Sequence, residues 1–213
     1  MRLSLQASLC VSMVGLSGGL LAGADLTSAK RNYQIKNYDA ALKESTPLAE
    51  DGNGEAQVLL GRMYMMGQGV NQDRDRAMKW FKAAAVQGNA DAQFFLGSIY
   101  LLPQQNVGEG LKWLRLSADQ GMQDAQYLLG KTYLQGIKDA PQDLVQAAMW
   151  LLLAAKGNTE FYQNELRSAE GRLTADQLAK AKSLAAEWKP RRSSSSDERS
   201  KPVKDGAFDG PHL

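Results

Sequence analysis

The chain has 213 residues, 44% of them apolar, which is enough for one domain with a real core. Its 25 Lys and Arg nearly balance 23 Asp and Glu. That is not the charge pattern of a nucleic-acid binder, whose basic residues gather on one face or helix.

Residues 1–24 carry Arg2 as their only charge, then run apolar and small from Leu9 to Ala22-Gly23-Ala24, an A-x-A cleavage pattern. This predicts a secretory signal peptide with Asp25 starting the mature protein. Ser12, Gly15, Ser17, Gly18 and Gly19 dilute the run below the roughly 20 strongly apolar residues of a spanning helix. Cys10 follows Leu9 rather than a small residue, which argues against a lipoprotein. Cleavage removes the chain's single cysteine, so the mature protein suits an oxidising compartment. The expected location is the periplasm or the medium, with no stable membrane span after cleavage.

Residues 25–53 read as a helix, a turn at Lys36-Asn37 and a second helix ending near Gly52. Pro47 lies inside that second helix and should kink it, having no N–H and crowding the previous turn.

An internal repeat follows. AQVLLGRMYMMG from Ala56, AQFFLGSIYLLP from Ala92 and AQYLLGKTYLQG from Ala125 align at Ala-Gln, Leu-Gly and Tyr. The aligned glycines are Gly61, Gly97 and Gly130, 36 and 33 residues apart. Each segment precedes a second one that carries Trp80, Trp113 or Trp150 and closes at Gly88, Gly121 or Gly157. Ala56, Leu59, Leu60 and Met63 recur at helical spacing, as do Ala77, Trp80, Ala84 and Ala85. The stretch between them is loop chemistry. Asp73 is placed to cap the second helix, and Gly88-Asn89 to stop it.

Gly61 inside a helix costs about 1 kcal/mol against alanine. Its recurrence in all three copies predicts close helix approach, with Trp80 or Tyr64 filling the vacant space. One hairpin cannot bury its own apolar face, but stacked hairpins can. The expected fold class is therefore all-α: an α/α solenoid of about ten helices with helical end caps.

The pattern A-x-x-L-G-x-x-Y, loop, A-x-x-W, A-x-x-G resembles the Sel-one-like repeat (SLR) family, over residues 54–158. The resemblance implies α/α hairpin repeats related to tetratricopeptide repeats, and a role as an adaptor in assembly or signalling. Copy two departs at its loop, where Pro103 replaces the Gly-x-Gly of copy one.

C-terminal capping helices are expected over 159–189. One spans Phe161 to Gly171. The other opens with a capping box at Thr174-Ala175-Asp176-Gln177 and a Leu173/Leu178 staple, and ends at Pro190. It presents Leu178, Ala181, Ala185 and Trp188 on one face. From Lys189 the sequence is rich in Ser, Pro and charge, so order should fail and 190–213 should form a disordered tail.

Catalytic chemistry finds no support. His212, the only histidine, is the next-to-last residue, a poor place for a base that needs fixed geometry. No metal or cofactor site is expected. Gly130-Lys131-Thr132 imitates the end of a P-loop, but Ala125 stands where the loop needs glycine, and the segment is helical. Asp73, Asp91 and Asp124 read as helix-start acids.

Positions that vary within the shared frame are more informative. Val58, Phe94 and Tyr127 share one such position; Arg62, Ser98 and Lys131 share another. First helices usually line the concave side of such arrays. Arg62, Phe94, Ser98, Tyr127 and Lys131 are therefore the candidate partner-binding residues. The expected protein is a monomeric, exported, non-catalytic scaffold of the bacterial envelope. Its partner is an envelope protein or peptide, not nucleic acid. The competing reading, a cell-wall-fragment or β-lactam-binding protein or enzyme, follows cysteine-rich SLR relatives, whose cysteine pairs are missing here.

Overall fold

The computed structural model describes residues 25–101, 106–137, 140–157 and 159–191. Among them are ten helices: α1 Leu26–Gln34, α2 Tyr38–Glu50, α3 Gly54–Met66, α4 Arg74–Val86, α5 Ala90–Leu101, α6 Val107–Asp119, α7 Gln123–Gln135, α8 Leu144–Ala155, α9 Glu160–Glu170 and α10 Ala175–Glu187. Helices α1 to α8 each pack on the next in the chain, so hairpins α1/α2, α3/α4, α5/α6 and α7/α8 stack in order. This is the all-α solenoid that the repeat predicts. The expected signal peptide (residues 1–24), the Pro103 loop and residues 192–213 of the expected tail lie outside the described residues.

Local chemistry sets the helix starts. Asp25 accepts the Thr27 N–H at 3.0 Å, Asp73 the Arg76 N–H at 2.9 Å and Asp143 the Gln146 N–H at 2.9 Å. Asn53, Asn89 and Asn106 act alike at α3, α5 and α6. The capping box on α10 is complete: Gln177 N–H donates to the Thr174 hydroxyl, and Thr174 N–H to the Gln177 side chain. Helix α2 continues through Pro47 to Glu50. Just before it, the Ser45 and Thr46 hydroxyls both donate to the Leu42 carbonyl, one residue before the Lys43 carbonyl whose helical donor Pro47 cannot supply.

The helix-contact notch is real, but its filler differs from the expectation. A Cβ on Gly61 would lie 2.6 Å from the Phe81 ring; on Gly97 or Gly130 it would lie 2.7 Å from Leu114 or Leu151. The filler is thus the residue after each tryptophan, not Trp80 or Tyr64. Phe81, Leu114 and Leu151 are all fully buried. One residue turns a helix by about 100°, so Trp80 and Phe81 cannot both face Gly61. Trp80, Trp113 and Trp150 are buried elsewhere in the core, while Tyr100 and Tyr133 are only half-buried.

A second device locks one hairpin to the next. In each copy the glutamine after the invariant alanine reaches back to the preceding hairpin. Gln57, Gln93 and Gln126 donate to the carbonyls of Ala49, Ala85 and Ala118 at 3.0, 3.1 and 3.1 Å. In copies one and two its oxygen accepts from Gln87 or Gln120 at the end of the same repeat, at 2.9 and 2.8 Å. Buried amides are thereby satisfied in pairs. Copy three has Lys156 at that place, and its ammonium reaches the Ala185 carbonyl of α10 instead, at 3.4 Å.

The repeat-closing glycines are not equivalent. Gly88 and Gly121 adopt left-handed φ of +89° and +92°. Gly157 does not; there glycine makes room for the Gln123 side chain, whose amide would collide with any Cβ.

The C-terminal end stops the array. Both α9 and α10 pack on α8. Helix α10 buries Ala181 and Ala185, while Lys180, Lys182 and Glu187 face water. After it the chain stays docked past the expected boundary at Lys189: the Arg191 N–H donates to the Asp119 carbonyl at 2.7 Å, and Trp188 and Pro190 lie over Gly121.

Candidate functional site

The first helices α1, α3, α5 and α7 line an open groove of about 760 Å³. Its apolar floor is Val58, Phe94 and Phe95, with Met122 at the far side. Phe95 stacks on the notch-filling Phe81, centroids 4.8 Å apart, so the floor rests directly on the core. Phe94 lies against Phe95 at 5.5 Å and is half-buried.

One end of the groove is formed by α1, the turn after it and α3. The Arg62 guanidinium sits 5.1 Å from the centre of the Tyr33 ring, a cation–π contact that holds a long side chain in place. Lys30 pairs with Glu55. Lys36 occupies the turn at φ +62°. Gln68 donates to the Tyr38 hydroxyl at 3.1 Å, yet its own oxygen is buried without a partner.

At the other end stand Asp91 and Asp124, in the first turns of α5 and α7. Asp124 accepts the Tyr162 hydroxyl, which links the groove to an aromatic cluster. There Tyr127 contacts Phe161 at 5.1 Å and Tyr162 at 5.4 Å, and Phe161 is 52% exposed. Lys131 donates to the Tyr127 hydroxyl at 3.2 Å. That hydrogen bond holds the Lys131 pKa above the ordinary lysine value. Burial, followed by the hydrogen bond to Asp124 and its charge, pushes the Tyr162 phenol up to about 12.

Arg62 and Phe94 therefore come together in the groove. Tyr127 and Lys131 pair with each other in the adjoining cluster. Ser98 stands apart: its hydroxyl donates to the Phe94 carbonyl at 2.8 Å within its own helix, and it does not line the groove. Reading the repeats alone misses Tyr33, Asp91, Asp124, Phe161 and Tyr162. The frame ends at residue 158, so nothing aligned α1 or α9 with the inner helices. Strict alternation of first and second helices would have placed both on the same side.

Among the described residues no group of His, Cys, Asp or Glu could hold a metal ion, and no helix is long and apolar enough to cross a membrane.

The model of the Sel1 repeat matches three times, at residues 54–89, 90–122 and 123–158, the three hairpins that carry the glycine notch. The chain belongs to the Sel1 repeat family, within the tetratricopeptide-like superfamily. It is similar in structure to a Sel1 repeat protein from Oxalobacter formigenes, at 28% identity and TM-score 0.61, over 67% of this chain and 59% of that one. The chain thus matches about three fifths of that relative's length. The c5321 protective antigen of uropathogenic Escherichia coli, with an SLR fold, aligns over 75% of this chain and 45% of its own at 25% identity and TM-score 0.42. A search of curated protein sequences finds no match. Sel1 repeats are generally protein–protein interaction modules, typically non-catalytic.

Proposed function

We propose that the protein is an exported, non-catalytic scaffold of the bacterial cell envelope whose first-helix face holds another envelope protein or a peptide. The observation that carries this is the open groove itself, in which Arg62 and Phe94 meet on a floor braced by Phe95 and Phe81. A rigid apolar floor with charged sides suits a side chain presented by a partner. Export rests on the sequence of residues 1–24 and on the start of α1, whose cap Asp25 follows the expected cleavage point directly.

Site-specific photo-crosslinking in the envelope tests it. A crosslinker replacing Phe94 should trap a defined protein that one replacing exposed Lys79 of α4 does not. Equal trapping from both positions, or trapping from Lys79 alone, would reject the groove. Binding of muropeptide or a β-lactam by the purified protein would favour the cell-wall reading instead.

A further inference from the structure

The groove is polarised along its length. The end made by α1, the following turn and α3 carries three cations, Lys30, Lys36 and Arg62, against one acid, Glu55; the end made by α5 and α7 carries two acids, Asp91 and Asp124, and no cation. Lys30 and Glu55 neutralise each other, which leaves Lys36 and Arg62 as the available positive charges. Asp124 already accepts the Tyr162 hydroxyl, which leaves Asp91 as the less committed acid. Each acid also complements the N-terminal dipole of its own helix. Lys36, Arg62 and Asp91 are all exposed, while Val58, Phe94 and Phe95 between them are half-buried or buried.

We infer that the groove takes an extended peptide segment of mixed charge: an acidic residue over Arg62 and Lys36, an apolar or aromatic residue on Phe94 and Phe95, and a basic residue at Asp91. This rests on the scaffold reading and narrows the partner's chemistry. Groove-bound peptides gain selectivity from charge order more than raw affinity, and a partner of uniform charge would meet a like charge at one end.

The test uses the purified protein and three fluorescein-labelled peptides with one Gly-Phe-Leu-Gly centre. One is flanked by two aspartates and two lysines, one by aspartates on both sides, one by lysines on both sides. Anisotropy should show the mixed-charge probe binding about three- to tenfold tighter than either uniform probe, as expected for exposed ion pairs. Arg62→Glu and Asp91→Lys should each abolish that preference. The double variant should show no preference either, because each end then holds equal numbers of cations and acids among the residues that line the groove. Unchanged melting temperatures ensure that the comparison concerns folded protein.

Equal affinity for the three probes would overturn the charge order. If Phe94 crosslinking still traps its partner in that case, the scaffold reading stands and only the inference falls. Loss of both rejects both. Displacement of the mixed-charge probe by a peptide copying residues 201–208 would make the chain its own occupant and overturn an external partner.

Discussion

Gly97 and Leu114 occupy one notch: a Cβ on Gly97 would stand 2.7 Å from the Leu114 Cγ, and 2.9 Å from both the Gly110 carbonyl oxygen and the Leu114 nitrogen. Two of those neighbours are backbone and cannot swing aside. Gly97→Ala should therefore destabilise the protein by about 2 kcal/mol, although alanine gains about 1 kcal/mol in helix propensity. Urea unfolding followed by circular dichroism measures it, and a variant as stable as the parent would contradict the close approach.

The three atoms nearest a Cβ on Gly61 all belong to the Phe81 ring, and a ring can be exchanged. Gly61→Ala should cost about 1 kcal/mol or more through overpacking. Adding Phe81→Leu, the filler type of the other two notches, should recover part of the loss. Strict additivity of the two changes in a double-mutant cycle would show that they do not share the notch.

Gln93 donates to the Ala85 carbonyl and accepts from Gln120. Gln93→Ala removes the bond to the Ala85 carbonyl, which keeps the Gly88 N–H, and should cost about 0.5–1.5 kcal/mol. Gln120→Ala should cost more, about 1–3 kcal/mol, because it removes the bonds to both Gln93 and the Gly88 carbonyl and leaves the buried Gln93 oxygen without that donor. Unfolding midpoints in the reverse order would contradict the lock between hairpins.

Tyr162 gives a pH signature. Its folded pKa of about 12 lies above the ordinary phenol value near 10, so the unfolded chain releases that proton first. The contribution is fully present below pH 10 and is lost as the pH rises towards 12. Stability should fall more steeply over that window in the parent than in Tyr162→Phe. Matching slopes in alkaline urea titrations would show that neither burial nor the Asp124 hydrogen bond raises this phenol.

Arg62→Glu and Lys131→Glu should weaken partner capture in the envelope while moving the melting temperature little. Each loses one exposed cation–π contact, worth about 0.5–1 kcal/mol. Intact capture by both variants would displace the proposed surface. The intact mass of the protein expressed in a bacterial host should correspond to a chain that begins at Asp25; a mass that retains residues 1–24 would contradict cleavage and the proposed export.

The repeat frame was readable because Ala, Gly, Trp and the closing Gly recur in register, and helix starts were readable because Asp73 and Thr174 announce caps. Side-chain direction was not. Trp80 and Phe81 are neighbours in sequence, and only packing decides which one enters the Gly61 notch. The glutamine of each Ala-Gln pair looked like a framework letter, with nothing to reveal that it ties successive hairpins. Asp91 was legible as a helix-start acid, but its place opposite Arg62 depends on how α3 and α5 stack. Ser98 looked equivalent to Arg62 and Lys131, yet its short side chain bonds its own helix. The dock of Arg191 on Asp119 joins segments 72 positions apart, beyond any local pattern.

Lys156 has a consequence for how such a chain lengthens. The notch between Gly97 and Leu114 is internal to one repeat, and the Gln93–Gln120 pair presents the same amide geometry as Gln57–Gln87. A duplicated copy of residues 90–122 would meet matching neighbours on both sides. A duplicated copy of residues 123–157 would not, since its lysine is fitted to Ala185 of α10 rather than to another glutamine. Lys156 thus ties the last hairpin to the closing helix by a bond for which copies one and two, with glutamine at that place, have no counterpart.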